Sequence, residues 1–471
     1  MRIKKGSINM VKTSDVQETK YLKLGHKLAY GSGDLATNFC WGFLNSFLLI
    51  YLTDTVGLNP GIVGTLMLIA RVLDGISDII AGNMIDRTNT KMGKARPYFV
   101  FTILPLVVCE IMLFSIPAVG EVAQYAYFFV IYSLLNVVFF TFNNIAYATM
   151  TALITNNKQE RVQLGVFRFV FATSGTLVIA SFTNTLIQSF GGGVGGWRKT
   201  AILYACIFAF FELLCGIFVK ELPQNNQKVE TAEKKEKGTL LRNLRYLVGN
   251  KYFVHQLIIN IVYNALNTIT TGVGIYFMTY RFNNPELLGV FSMTMVIPLM
   301  VGLVLSPVFV KKFGIYKTNL VGFAITTVMC IPFLIFGLTG NVTGMLICSV
   351  IRWIGSGPVV GNGGALTAEI AEYSARKDGV NIAGSVYSCS SMGGKVGTGL
   401  ASALTGWLLA ASGYDGMLAV QPASAINMIT ILYAVVPLII SSLMLICLYL
   451  QKVEQANKEL EQAQKKAASS D

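Results

Sequence analysis

Histidine is nearly missing from this chain. Of 471 residues only His26 and His255 are histidines, and they stand far apart, so a zinc-dependent active site has no ligand set to build on. Eight cysteines occur, at 40, 109, 206, 215, 330, 348, 389 and 447, without a Cys-x-x-Cys pair. Each falls inside an apolar run, where a thiol reads as small hydrophobic filler ahead of a disulfide half or a metal ligand. Neither a nucleophile elbow nor a phosphate-binding loop is present, so an enzyme is the least supported class and no cofactor is implied. Charge is scarce as well: 13% of residues are Asp, Glu, Lys or Arg against 53% hydrophobic ones, and the mean hydropathy is +0.58. That balance exceeds what a soluble domain tolerates.

What is abundant is apolar run. Stretches of about 20 or more apolar residues, the length that crosses a bilayer, recur near 28–53, 60–85, 98–117, 123–150, 162–190, 200–220, 252–280, 286–310, 315–338, 343–367, 381–411 and 425–450. The chain therefore reads as an all-α membrane protein of twelve transmembrane helices. Basic residues orient it. On alternating sides, 30 of the 37 Lys and Arg fall with the termini and only Arg198, Lys199 and Arg281 on the other side, which predicts cytoplasmic termini. The net charge of +13 is then explained by topology and an anionic inner leaflet, without nucleic acid. The basic N-terminal segment lacks the pattern of a cleaved signal peptide. The one long polar stretch, Lys220 to Lys251, splits the spans into two sets of six, the layout in which two bundles enclose a central site. The expected organisation is a cytoplasmic segment 1–27, a six-helix bundle 28–220, a central loop 221–251, a second bundle 252–450 and a cytoplasmic tail 451–471. The loops Asp86 to Pro97 and Lys311 to Lys317, both short, basic and Gly-containing, echo one another across the halves.

The second span carries an energetic anomaly. Arg71, Asp74 and Asp78 lie in an otherwise lipid-compatible helix, and each ionisable group at membrane depth costs at least about 2.5 to 3.5 kcal/mol. At about 100° per residue they fall within roughly 60° of one another, so they form one charged stripe facing away from lipid.

Several motifs resemble the glycoside-pentoside-hexuronide:cation symporters of the major facilitator superfamily, the group that includes the bacterial melibiose permease. They are Tyr30-Gly-Ser-Gly-Asp34, Tyr51-Leu-Thr-Asp54-Thr-Val-Gly57, Gly61-Ile-Val-Gly64-Thr, Arg71-Val-Leu-Asp74-Gly-Ile-Ser-Asp78, Asp86 to Pro97, Asn144-Ile-Ala-Tyr147, Glu160-Arg161 with Arg168, and Ser388 to Lys395. The similarity covers essentially the whole chain. It implies the superfamily fold of two six-helix bundles, a sugar substrate, a coupling H+ or Na+, and a place in the bacterial inner (plasma) membrane. No partner chain is required, and a monomer is admissible.

Site by site, the resemblance places the coupling cation on Asp74 and Asp78, with Ser77 between them and Thr141 matching a span-four hydroxyl ligand. An i, i+4 carboxylate pair suits a hard cation, and two close carboxylates also suit a proton. Arg71 is a charge partner for either acid; the plainer alternative is a salt bridge that only locks the bundle. Departures are equally specific. Asn38 and Asn144 stand where the melibiose permease has sugar-binding aspartates, Ala148 where it has a stacking tryptophan, Ser77 where it has an asparagine, Val360 near another pocket tryptophan, and Arg168 matches with a one-residue offset. Melibiose is therefore a poor expectation, and the ion stays open. The amides of Asn38 and Asn144 still bind hydroxyls.

Lys395, among small residues in span eleven, is read as reaching toward Asp74 or Asp78 or donating to a sugar hydroxyl, the alternative being a snorkelling lysine. Sugar recognition pairs polar groups with an aromatic ring, which makes Asn38, Trp41, Asn45, Asn144, Tyr147, Arg168, Tyr263, Asn264, Tyr387 and Lys395 candidates. Packing or interface anchoring is the alternative for each aromatic. Glu110 and Glu212 stand alone on spans three and six, so structural roles fit them as well as transport. Arg352 and Trp353 are read equally as pocket lining or packing, and Asp34 as a helix-end or gating contact as much as a substrate contact. Asp86, Arg87, Lys94 and Arg96 are expected to gate the cytoplasmic side against Glu369 and Glu372, a solvated charge run being the alternative. The function expected is sugar:cation symport by alternating access. A relative moving a lipid-like solute and a non-transporting sugar sensor are the alternatives.

Overall fold

The structure, a computed structural model, describes residues 21–222, 248–378, 383–418 and 420–468. Most of the N-terminal segment 1–27, most of the expected central loop and the side chain of Tyr387 lie outside the described residues. Among the described residues the regular structure is helical, with one isolated bridge, Thr90 to Gly93. In hydrocarbon every backbone N–H and C=O must be satisfied within the segment, and helices do this.

The helices are α1 (Leu24–Thr55), α2 (Pro60–Arg87), α3 (Arg96–Leu113), α4 (Glu121–Leu153), α5 (Lys158–Ser189) and α6 (Gly193–Phe218) in the first half. The second half holds α7 (Lys251–Tyr280), α8 (287–313), α9 (315–339), α10 (Val342–Asp378), α11 (Ala383–Ala411), α12 (423–450) and, after it, α13 (Val453–Ala468). Nine described helices are long and apolar enough to cross a membrane. One of the nine, the run Leu287–Thr339, is itself two helices joined across Gly314, whose φ of 82° and ψ of 167° break the helix. Helices α2 and α11 stand outside that set, and with them the order accords with twelve spans.

Local chemistry sets the ends. Asn59, Asn157 and Asn250 cap α2, α5 and α7 by accepting from the backbone N–H of Gly61, Glu160 and Tyr252, and Pro60 occupies the first helical position of α2. Span six starts earlier than its apolar run suggests, because Gly191 and Gly192, at φ of 100° and 66°, turn α5 straight into Gly193 of α6. Wider π-helical turns interrupt α1 at Asn38–Gly42 and Tyr51–Thr55, and α4 at Leu134–Phe140.

The halves meet along α2 with α11, α5 with α8, and α1 with α7. Small residues permit the first contact: a Cβ on Gly399 would lie 2.9 Å from that of Arg71, and Trp407 Nε1 donates to Thr65 Oγ1 at 2.8 Å. On α2, Val72, Leu73, Ile76 and Ile80 point outward while Arg71 and Asp74 are buried, so the stripe faces inward as its period predicts.

Candidate functional site

Between the halves lies a cavity of about 1180 Å³. Its wall includes Arg71, Asp74 and Asp78 from α2, Thr141 and Asn144 from α4, Asn38, Trp41 and Asn45 from α1, Asn264 from α7 and Lys395 from α11. These come from helices far apart in sequence, and the two halves supply opposite charge.

Lys395 Nζ lies 3.0 Å from Asp74 Oδ1 and 2.6 Å from Asp78 Oδ2, so one ammonium bridges both carboxylates. Thr141 Oγ1 donates to Asp74 Oδ1 at 2.5 Å, and Ser77 Oγ, 3.2 Å from the same hydroxyl, donates to the Asp74 carbonyl at 2.9 Å. The π-helical turn preceding Thr141 puts its side chain at the level of Asp74. Arg71 stands further off: Nη1 is 4.0 Å from Asp74 Oδ2, while Nη2 donates to Asn45 Oδ1 at 3.2 Å and the guanidinium lies 4.0 Å over the Trp41 ring. Asp74 is 4% exposed against 27% for the Asp78 side chain, so Asp78 is the member open to the cavity. A bare carboxylate as deeply buried as Asp74 would be costly, and one hydroxyl donor, Thr141, plus two cations, Lys395 and Arg71, offset that cost. Every residue named for the cation and its charge partners is thus brought to one place. Two hard carboxylates and two hydroxyls within reach form an oxygen set suited to Na+ or H+.

The sugar candidates divide. Asn38, Trp41 and Asn144 line the cavity, Asn38 Oδ1 accepting from Thr176 Oγ1 at 2.9 Å and Trp41 stacking on Phe140 with centroids 4.6 Å apart. Tyr147, Arg168 and Tyr263 do not line it. Tyr147 stacks on Tyr30 at 4.6 Å and donates to the Tyr30 carbonyl, and Arg168 Nε pairs with Asp34 Oδ2 at 2.6 Å, its guanidinium over Tyr147. These groups bond to one another inside the first bundle, off the cavity wall. Tyr263 packs instead with Phe323 and Met444. Glu110 and Glu212 are fully buried away from the cavity. Tyr387's side chain lies outside the described residues.

The expected gate is not joined in this structure. Glu221 accepts from the backbone N–H of Lys94, Ala95 and Arg96 at 2.8, 2.9 and 2.8 Å, and Arg96 Nε donates to Gly216 O. The loop is thereby tied into its own half. Gly93, at φ of 115°, is required there, since a Cβ would run into the Glu221 carboxylate. Across the gap, Glu372 pairs with Arg376 at 2.6 Å and Glu369 Oε2 accepts from Asn457 Nδ2 at 2.6 Å, while Asp86 and Arg87 are exposed. The halves are bonded at the opposite face, a contact the sequence reading missed. Asp54 on α1 accepts from Tyr280 Oη of α7 and from Tyr414 Oη, both at 2.5 Å, and Thr53 Oγ1 lies 3.0 Å from Tyr276 Oη. The Tyr51 to Gly57 motif was the available signal, but its partners lie more than 200 residues away.

A family model described as MFS/sugar transport protein matches residues 29–455. An isoprimeverose transporter of Lactiplantibacillus pentosus is 29% identical over 455 residues, covering 94% of this chain and 93% of that protein. The putative glycoside/cation symporter YagG of Escherichia coli (strain K12) is 27% identical over 461 residues, covering 93% and 94%. Among solved structures, a D-xylose-proton symporter superposes with a TM-score of 0.64 at 14% identity over 90% of this chain and 97% of that one. At such identity the likeness concerns the fold alone.

Proposed function

The chain belongs to the MFS/sugar transport protein family, transporters and not enzymes, and from that premise we propose a symporter that carries a glycoside, pentoside or oligosaccharide with H+ or Na+ by alternating access. The observation that carries this reading is the Lys395 bridge to Asp74 and Asp78 at the wall of the interbundle cavity. Two cations, Arg71 and Lys395, face two carboxylates there. An arriving Na+ or H+ takes over part of the carboxylates' charge, loosens Lys395 and frees its ammonium to donate to a sugar hydroxyl beside Asn38 and Asn144. Ion and sugar then favour each other, because each removes a charge or hydrogen-bond deficit that the other creates. The names of the relatives, an isoprimeverose transporter and a putative glycoside/cation symporter, support a glycoside and a cation as cargo.

The bonds joining the halves at Asp54, with the loop after α2 unpaired to Glu369 and Glu372, fit a state open on the side of the termini. On the positive-inside reading that side is the cytoplasm of a bacterial cell, and re-pairing of Asp86, Arg87, Lys94 and Arg96 with Glu369 and Glu372 closes it.

Uptake of labelled pentosides and glycosides into proteoliposomes under imposed Na+ or H+ gradients tests the reading. Gradient-dependent accumulation of at least one sugar is expected; its absence with folded protein sinks the proposal. Asp78→Asn is expected to abolish uphill accumulation while retaining sugar exchange. Wild-type accumulation by that variant would make the pair structural.

A further inference from the structure

Arg71 and Asp74 stand one helical turn apart on α2, a spacing from which an arginine and an aspartate ordinarily meet. Opposite charges so deeply buried attract strongly, since little water screens them. Yet the guanidinium stops short: Nη1 stays 4.0 Å from Asp74 Oδ2, beyond hydrogen-bond reach, although both side chains are 5% exposed. Two tethers hold it there. The guanidinium carbon lies 4.0 Å from the centroid of the Trp41 ring, and Nη2 donates to Asn45 Oδ1 at 3.2 Å.

Trp41 is itself fixed. Its ring stacks on Phe140 with centroids 4.6 Å apart and planes 17° from parallel. Each ring comes from a wide π-helical turn, Trp41 from Asn38–Gly42 on α1 and Phe140 from Leu134–Phe140 on α4. Such a turn inserts one residue and rotates the side chains beyond it by about 100° against a regular helix. Arg71, Trp41 and Phe140 thus join α2, α1 and α4 in one stack, and the residue after Phe140 is Thr141, whose hydroxyl donates to Asp74. From the second half, α11 closes over the base of Arg71, where a Cβ on Gly399 would lie 2.9 Å from the arginine's own Cβ. All three stacked residues lie on the cavity wall.

We propose that Trp41 is a positioning residue for the coupling cation: by holding the Arg71 guanidinium against its ring, it keeps the Asp74 carboxylate open to Na+ or H+. An Arg71 released from the ring swings onto Asp74 and bonds it directly, as its fork of donors suits a carboxylate. The incoming cation then has two cations to displace instead of Lys395 alone. Arg71 stays charged in both positions, so the step moves no proton. The inference rests on the symport reading above and deepens it by naming what keeps the site receptive. It gives Trp41 to the ion, where the residue type also suited a sugar.

Cation binding is read without sugar, on the full-length protein in lipid nanodiscs, as the Na+ or H+ concentration that gives half the maximal rise in the thermal unfolding midpoint. Sugar KM in proteoliposomes at saturating cation is the second readout. Trp41→Leu is expected to raise the half-saturating concentration roughly tenfold, the scale of a buried cation–ring contact, while sugar KM changes by less than about twofold. Trp41→Phe keeps most of the wild-type value, because a ring remains. Placed on Arg71→Gln, Trp41→Leu produces no further change, since no guanidinium is left to hold. Asn45→Ala releases the second tether, raises the value in the same direction and carries the test if Trp41→Leu does not fold. An unchanged half-saturation in Trp41→Leu or, failing that, in Asn45→Ala overturns the proposal, and so does a rise that persists on Arg71→Gln. A sugar KM that moves by as much or more makes Trp41 a sugar platform and overturns it too. In those cases the wild type still answers to its cation and the symport reading stands. A wild type that binds a cation but accumulates no sugar loses the symport reading alone, and one that answers to neither Na+ nor H+ ends both.

Discussion

At the scale of single residues, Asp74 concentrates the electrostatics of the site. Its carboxylate is almost wholly buried yet holds a hydroxyl at 2.5 Å and an ammonium at 3.0 Å, so removing either donor leaves charge partly unmet. Thr141→Ala is the cleaner perturbation, since it deletes a hydrogen bond to a charged group and leaves the ion pairs intact. Such a bond contributes about 1.5 to 3 kcal/mol, so apparent affinity for the coupling cation should fall roughly tenfold or more. Titrating sugar uptake against Na+ or H+ measures this; an unchanged half-saturation would remove Thr141 from the cation's surroundings. Thr141 and Lys395 were legible as partners of the acids from motif resemblance. The division of labour between Asp74, enclosed, and Asp78, open to the cavity, was not, because it depends on how far α11 and α4 cover α2.

Among the elements, α13 shows how a polar segment can serve a membrane bundle. It lies along the ends of α9 and α10 through Glu454, which accepts from the Tyr316 N–H at 3.0 Å, through Asn457 on Glu369, and through Glu461 on Arg376. The first of these satisfies a backbone donor at the start of α9, just past the Gly314 break. Glu454→Ala should lower stability by about 1 to 2 kcal/mol and leave sugar binding unchanged, as thermal unfolding of the purified protein would register. No drop in the midpoint would mean that α13 packs without supporting α9. A charged tail was visible in composition. Its docking was not, since nothing local to 453–468 names the helix ends it meets.

For the molecule as a whole, the two halves are joined at one face by Asp54, while at the other the Lys94 to Arg96 loop is not paired with Glu369 or Glu372 among the described residues. Asp54 joins α1 to Tyr280 and Tyr414, while Glu221 keeps the Lys94 to Arg96 loop in its own half. Two hydrogen bonds to a carboxylate are worth enough to shift a balanced two-state equilibrium tenfold or more. Asp54→Ala should therefore open the face at which α1 ends. Labelling of a cysteine placed at Ser46, at the head of the cavity, by an impermeant reagent from that face should accelerate roughly tenfold. An unchanged rate would show that the α2 and α11 contact holds the closure without Asp54.

The sequence alone determined the all-helical membrane class and the inward stripe of α2, because bilayer thickness and helical period act on neighbouring residues. It also determined, through motif resemblance, which acids and which lysine belong together. Tertiary structure alone decided that Tyr147 and Arg168 bond to Tyr30 and Asp34, that Glu221 holds the loop expected to gate, and that Asp54 meets two tyrosines. Those outcomes turn on helix rotation and depth between residues 117 to 360 positions apart, and a shift of one helical position, about 100°, would reassign every partner.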